Sequence, residues 1–478
     1  MNLVKKIAQH TIIHTIGKFG ASLIGIFVVA ILTRYLGVEG YGAYTTIFAY
    51  LFFFAILSDL GLYIVTVNEL GRSEFGEEKF FNNVFTLRLI TAGILMLLAG
   101  GLVWFFPYSL LIKIGVLVAA LSIFLNLLDQ IVVAFFQNKV NMKRVAVAEL
   151  AGKLTLLGLT ILIVILKGNL LLLLVAVILG FVINFGINLS YLRKFIKLRL
   201  SWDWIIWQSI LKKSWPVAVT TIFSLIYFKA DTLLLSILPI NPVWALNNEV
   251  AVGIYGAPYK ILEVLIAWPA IFMGLVSPLL AKSWLEKNVI RFQQVFQKAF
   301  DVLVIIIWPM MIGTLVLAQP LIVLVAGKEF VNSALVLQIL IWAVGIIFLT
   351  HLTTYSIIAL GKQKSMIKFY VVAAILALTA YLIFIPQYAY LAAATITVLV
   401  ELFMLMATIY LLKKVVGLKI NLLVFTKALV AAVVMGFCLF YIINLNVIIL
   451  VLLGAGIYLG TLYIIGGVDK KVIKELKY

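Results

Sequence analysis

Apolar stretches of membrane-crossing length recur along this chain, separated by brief polar links. About 20 predominantly apolar residues in helical conformation span the hydrocarbon of a bilayer. By that ruler the spans fall at roughly 11–33, 41–66, 84–106, 110–136, 144–166, 169–192, 214–237, 251–280, 298–319, 331–359, 366–385, 388–412, 421–443 and 446–466. Links are short except 67–83, 193–213 and 281–297, and none is long enough for a folded soluble domain. The expected fold class is an all-α integral membrane protein of about 14 transmembrane helices.

Composition agrees: 65% of the 478 residues are hydrophobic and only 12% charged. The net charge of +19 would suit nucleic acid if it lay on one soluble surface. Its distribution says otherwise. An even number of spans places both termini on one side of the membrane. On that side the links and termini hold 28 Lys and Arg residues, against Arg34, Lys113, Lys167 and Lys328 opposite. The positive-inside rule makes the rich side cytoplasmic, in a plasma or inner membrane, with the basic girdle facing anionic lipid. Nucleic acid is not an expected partner. Lys5 and Lys6 before an apolar run resemble a signal peptide, but no small-residue cleavage site follows, so the run is read as the first span. Cys438 is the only cysteine, which excludes a disulfide framework and a thiolate metal site.

The costliest stretch is 215–278. Lys229 and Asp231 fall within one apolar span, Lys260 and Glu263 within the next, and the latter also carries Pro258, Pro269 and Pro278. Each proline removes a backbone donor where no water replaces it. Charge within hydrocarbon costs at least about 2.5–3.5 kcal/mol per residue, so such groups face a bundle interior or a wet cavity. Together these features mark one wall of a transport pathway.

Five cations lie inside spans: Lys18, Arg88, Lys153, Lys229 and Lys260. They suit a phosphorylated cargo, because Arg grips phosphate with two prongs and Lys offers a mobile point charge. The structural alternative is that each neutralises a nearby acid or reaches an interface. Lys153 faces that alternative most directly, with Glu149 one helical turn before it. The intramembrane acids Asp59, Asp129, Asp231, Glu263, Asp301 and Glu401 are candidates for ion coupling or structural pairing. No cofactor or metal is expected, H+ or Na+ being the candidate coupling ions. His10 and His14, one turn apart, lack the further ligands of a metal site, and His351 reads as a packed or cavity histidine. The aromatic run Tyr50–Phe54 is read as lipid- or lobe-facing.

Two stretches look alike. Tyr41-Gly42-Ala43-Tyr44 opens span 2 and Tyr255-Gly256-Ala257-Pro258-Tyr259 opens span 8, each after a lysine-bearing helix. With six spans in each half, both copies insert in the same direction, a layout known for transporters. The expected division is a first lobe over 1–195, an interfacial cytoplasmic linker over 196–213, a second lobe over 214–415, and two further helices with a cytoplasmic tail over 416–478. The run Trp202-Asp203-Trp204-Ile205-Ile206-Trp207 is expected to lie along the interface, where Trp is favoured.

Several motifs occur in a consistent order: Arg34-Tyr35-Leu36-Gly37-Val38-Glu39-Gly40-Tyr41-Gly42, Asp59-Leu60-Gly61-Leu62, Lys229-Ala230-Asp231-Thr232, Val252-Gly253-Ile254-Tyr255, Gly327-Lys328-Glu329-Phe330 with Leu337-Gln338-Ile339-Leu340, Leu360-Gly361-Lys362-Gln363-Lys364, and Ala392-Ala393-Ala394-Thr395 leading to Glu401. Over about residues 1–415 the set resembles the polysaccharide biosynthesis (O-antigen, Wzx-type) flippases of the multidrug/oligosaccharidyl-lipid/polysaccharide exporter superfamily. The resemblance implies two six-helix lobes about a central cavity and two C-terminal helices. The implied cargo is a polyprenyl-pyrophosphate-linked oligosaccharide moved from cytoplasmic to outer leaflet by alternating access. Implied partners are that glycan lipid, membrane lipids and other polysaccharide assembly proteins, around a monomer. Where a typical member has a glycine-containing turn after Ile385-Pro386, this chain reads Gln387-Tyr388-Ala389-Tyr390.

The rival functions are a peptidoglycan-precursor flippase and a cation-coupled multidrug exporter. Five intramembrane cations favour anionic over cationic cargo. A membrane polymerase or glycosyltransferase would need a sizeable outer loop bearing acid–base groups, and none is present, so no enzyme is expected. Moving two negative charges outward through an inside-negative potential releases roughly 4–5 kcal/mol per 100 mV, so an ion need not supply all the drive.

Overall fold

The computed structural model describes the backbone of residues 3–72, 74–139 and 141–467, with side chains except at 3–16, 18–19, 72, 216–217 and 219–228. Lys18, His10 and His14 therefore lie outside the described side chains. Among the described residues the protein is all-helical, with fourteen membrane helices as the apolar pattern predicts. Among the described residues, eleven continuous helical segments are long and apolar enough to cross a membrane. Two of these contain a pair of crossings each. Gly20–Asp59 has 40 residues and would be about 60 Å long if straight, twice the hydrocarbon thickness.

The first pair is α1 (Leu3–Asp59), interrupted at Gly37, where φ is 65°. That left-handed value suits a residue without Cβ, and the chain reverses there. Gly17 on the first arm lies against Ala146, whereas Tyr35 donates to the Gly168 carbonyl beyond the far end of the same neighbouring helix. On the second arm, Tyr50 donates to the Ala99 carbonyl and Ser58 lies beside Arg88, running back the other way. The expected second span continues to residue 66. Instead it stops at Leu60–Gly61, both left-handed, and restarts as α2 (Leu62–Glu69).

Packing gathers the chain into two units, Met1–Gly253 and Ile254–Tyr478. The first contains α3 (Glu77–Leu102), α4 (Leu110–Asn138), α5 (Met142–Ile165), α6 (Leu170–Leu192) and α7 (Trp204–Ile237). In this division α7 groups with the helices before it because it packs on α1, α2 and α3. The connecting stretch is pinned first: Asn82, Asn83 and Thr86 of α3 bond backbone groups of Lys197, Arg199, Ser201 and Asp203. Asp203 then caps α7, accepting from the Ile205 and Ile206 amides. A hydrogen bond from Lys79 holds the Asp203 carboxyl below the usual carboxylate range. Trp202 and Trp204 are exposed beside it, and Trp202 stacks on buried Trp207 with ring centroids 4.6 Å apart.

The polar links of this unit sort by end, as the charge alternation requires. Lys139–Glu77, Lys79–Asp203 and Lys213–Glu69 pair at one end. Tyr35–Gly168, Asn247–Glu39 and Lys113–Trp104 meet at the other. Between the ends, large apolar side chains such as Leu97, Leu117 and Leu179 stand exposed, a surface that only hydrocarbon satisfies.

The second unit holds most of α8 (Asn248–Leu285), then α9 (Val289–Ala326), α10 (Ser333–Ala359), α11 (Ile367–Val416), α12 (Leu423–Tyr441) and α13 (Val447–Ile464). Helix α8 continues through Pro258, Pro269 and Pro278. The last two helices pack on α9 through Ala428, Ala431, Ala432 and Met435, and Tyr458 donates to the Ile305 carbonyl at 2.7 Å.

Helix α11 is the second folded pair, turning at Ala389 with φ 45° and ψ −125°. Here a buried alanine occupies backbone space that glycine favours, at a cost of order 1–3 kcal/mol. Ala389→Gly is therefore expected to raise thermal stability by about 1 kcal/mol, the relief being partly offset by glycine's freedom in the unfolded chain. Thermal unfolding in detergent tests this; a lower midpoint would show that the turn is not strained.

Candidate functional site

Within the first unit, a cavity of about 890 Å³ opens among α1, α2, α4, α5 and α6. Helical spacing builds its walls. Asn126, Gln130, Val133 and Gln137 follow one stripe of α4; Met142, Val145, Glu149, Lys153 and Leu156 follow one of α5. Asp59 and Tyr63 close one side, and Gly180, Phe181 and Asn184 of α6 another. The α5–α6 crossing is close: a Cβ added to Gly152 would lie 2.7 Å from the Gly180 carbonyl oxygen and 2.9 Å from Asn184 Cβ. Glycine at 152 thus brings Glu149 and Lys153 up to the α6 amides.

Arg88 stands behind this wall, fully buried. Its Nε donates to the Leu127 carbonyl at 3.0 Å, Nη1 to the Ser58 carbonyl at 3.0 Å, and Nη2 to Gln130 Oε1 at 2.8 Å. Asp59 Oδ1 lies 2.9 Å from Nη2, an ion pair whose alignment falls short of a hydrogen bond. Every guanidinium nitrogen is thereby engaged in bracing α1 and α4 against α3. The sequence reading offered Arg88 to the cargo; its geometry is that of a brace.

Asp129, almost fully buried, accepts from Asn184 Nδ2 at 3.1 Å and from Asn188 Nδ2 at 2.8 Å. Two neutral amides, Asn184 and Asn188, thus hold this carboxyl group. The lining acids are Asp59, Asp129 and Glu149, and the lining cation is Lys153. This cavity therefore presents charges of both signs.

The other predicted residues sit elsewhere. Lys229 is half-buried, with Nζ 5.7 Å from the centroid of Phe52. Asp231 is buried and accepts from the Thr232 amide and hydroxyl. In the second unit, Lys260 Nζ pairs with Glu263 Oε2 at 2.7 Å, and Asp301 accepts from Gln297 at 2.8 Å. Glu401 is buried on the second arm of α11. His351 lies beside Tyr355, ring centroids 6.2 Å apart. Among the described residues no group of three or more His, Cys, Asp or Glu side chains could hold a metal ion. Sequence reasoning missed Gln130, Asn184 and Asn188 as site residues; the signal was present, as two amides four apart on a helix otherwise almost wholly apolar.

A bundle of this kind, with polar groups inside apolar helices, defines a multi-pass helical membrane protein. The chain belongs to the polysaccharide biosynthesis protein family, whose model matches residues 7–284. Among solved structures it resembles the lipid II flippase MurJ in an inward closed conformation (16% identity, TM-score 0.78, 95% of this chain and 98% of that one). It also resembles an inward-facing multidrug resistance MATE family transporter of the MOP superfamily (15% identity, TM-score 0.65, 84% and 96%). A third likeness is to a MOP superfamily transporter from Pyrococcus furiosus, described as having a binding pocket of reversed polarity (14% identity, TM-score 0.56, 85% and 93%). No curated protein matches the chain.

Proposed function

We propose that this protein is a flippase that carries a polyprenyl-pyrophosphate-linked oligosaccharide, an O-antigen or other polysaccharide repeat unit, from the cytoplasmic to the outer leaflet. The family match over residues 7–284 is the observation that carries this reading. Two pseudo-symmetric lobes alternate their access around a shared path, with both termini cytoplasmic. The charge asymmetry of the links supports that orientation. Lys153 in the first unit's cavity and Lys229 beside Phe52 are the cations proposed to meet the pyrophosphate. Lys18 and Lys260 are secondary candidates, the latter tied to Glu263 in this conformation.

Two specific observations favour other readings of the same fold. The fold likeness to the lipid II flippase extends over nearly the whole chain and fits a peptidoglycan precursor as cargo. The acids Asp59, Asp129 and Glu149 in the cavity fit a cation-coupled exporter. One experiment separates all three. Cells depleted of the protein are expected to accumulate a polyprenyl-pyrophosphate oligosaccharide in their extractable lipid. Accumulation of a peptidoglycan precursor would select the first rival; an unchanged lipid pool with greater sensitivity to organic cations would select the second.

A further inference from the structure

Two arginines of the first unit are engaged in opposite ways. Arg88 commits every guanidinium nitrogen to carbonyls, Gln130 and Asp59. Arg144, in the first turn of α5, makes no hydrogen bond or ion pair through its side chain with any described residue. Its guanidinium lies instead against two rings at the end of α6, 5.0 Å from the centroid of Tyr191 and 5.2 Å from that of Phe195. Phe195 is backed in turn by Phe135 and Phe136 of α4, with centroids 6.0 and 6.2 Å away. The rings hold the arginine in place while its donors stay unused, and Nη1 is buried with no acceptor.

Other cations gather around it. Lys143, Arg193 and Lys194 are exposed, and Lys194 places Nζ 5.5 Å from the Tyr191 centroid. None of the three forms an ion pair among the described residues, whereas Glu69, Glu77 and Asp203 at this end pair with Lys213, Lys139 and Lys79. The helix itself does not favour this placement. Lys143 and Arg144 occupy the first turn of α5, the end where the helix dipole disfavours cations, and no acid of that turn offsets them. Apolar side chains continue from the cluster. The helical repeat leads from Arg144 through Val147, Leu154 and Ile161, all exposed, and Phe195 is exposed beside them. Leu154 stands about 15 Å along the axis from Arg144, the depth of one leaflet. The cavity lies on another face of α5, that of Met142, Val145, Glu149 and Lys153.

We propose that this corner of α4, α5 and α6 binds one anionic phospholipid of the cytoplasmic leaflet. The phosphodiester oxygens accept from the Arg144 fork, Lys143 and Lys194 add positive field, and one acyl chain lies along Val147 and Leu154. The cytoplasmic leaflet carries such lipids, and a phosphodiester with one negative charge suits a single planar fork. A girdle acting by charge alone would treat lysine and arginine at 144 alike. A fork stacked on Tyr191 and Phe195 does not, because lysine reproduces neither the stacking nor the two-pronged grip.

This goes beyond the flippase reading: it uses the orientation given above and no property of the cargo. The full-length protein in detergent, titrated with dioleoyl phosphatidylglycerol or dioleoyl phosphatidylcholine, reports bound lipid by native mass spectrometry. The wild type is expected to hold phosphatidylglycerol about 10-fold more tightly than phosphatidylcholine, the effect of a hydrogen bond to a charged group. Arg144→Ala should abolish that preference, and Arg144→Lys, which keeps the charge, should lose most of it. Lys419→Ala, which removes an exposed cation of the second unit, should match the wild type. Equal retention of the two lipids by the wild type, or an undiminished preference in Arg144→Lys, overturns the proposal. So does displacement of phosphatidylglycerol by equimolar polyprenyl pyrophosphate, which would assign the arginine to cargo, or by inorganic phosphate, which would assign it to soluble anions. A wild type that binds phosphatidylglycerol as described but moves no glycan lipid in vesicles would count against the flippase reading and leave this site standing.

Discussion

Replacing Arg88 by alanine is expected to destabilise the first unit by about 3 kcal/mol or more, the usual result of removing one partner from a buried ion pair. The loss has several parts. The carbonyls of Leu127 and Ser58 lose their donors, Gln130 loses its partner, and Asp59 is left beside an apolar gap. Arg88→Lys would keep the charge but cannot reproduce a planar fork that reaches both α1 and α4, so it should recover little. Adding Asp59→Asn to Arg88→Ala should recover stability, with a coupling energy of about 1–3 kcal/mol between two groups in direct contact. Thermal unfolding of the four proteins in detergent measures this. Additive effects would show that Asp59 and Arg88 act independently, and an unchanged midpoint in Arg88→Ala would remove the brace altogether.

Lys153→Ala is expected to slow flipping of a pyrophosphate-linked glycan about 10- to 100-fold, corresponding to the roughly 1.5–3 kcal/mol of a hydrogen bond to a charged group. Lys153 stands one turn from Glu149 on the cavity wall of α5, where a cargo phosphate would compete with that acid for it. Lys153→Arg should retain part of the rate if charge is what matters. Lys229→Ala should lower the rate as well, with its own loss of packing on Phe52 kept apart by comparison with Lys229→Met. Unchanged flipping in both alanine variants would place the phosphate elsewhere.

Much of the architecture was legible because lipid leaves a chain few choices. Apolar runs of crossing length can only be helices there, and the alternation of cations from link to link fixes their count. Gly37 announced its turn through its residue type. The turn at Ala389 was legible only as the break between spans 366–385 and 388–412, since an alanine gives no sign of a left-handed backbone. The site was less legible for a different reason. Whether Arg88 is open to cargo or spent on Asp59, Ser58, Leu127 and Gln130 depends on partners 29 to 42 positions away, which periodicity cannot supply. Lys260 was easier, its acid being three residues on along the same helix. Neutral amides carry no charge to single them out in a sequence, yet Asn184 and Asn188 are what hold Asp129. Conversely, six acids that look equivalent in sequence separate in three dimensions: Asp59 and Glu263 meet cations, Asp129 and Asp301 meet amides, Asp231 meets Thr232, and Glu401 is buried on α11.

The most direct measurement is translocation itself, with purified protein in vesicles loaded on one leaflet with a polyprenyl-pyrophosphate oligosaccharide and probed on the other by a glycan-cleaving enzyme. The account predicts glycan that becomes cleavable in protein-containing vesicles and stays protected in protein-free ones. Vesicles that export organic cations while the glycan lipid stays where it was placed would contradict it.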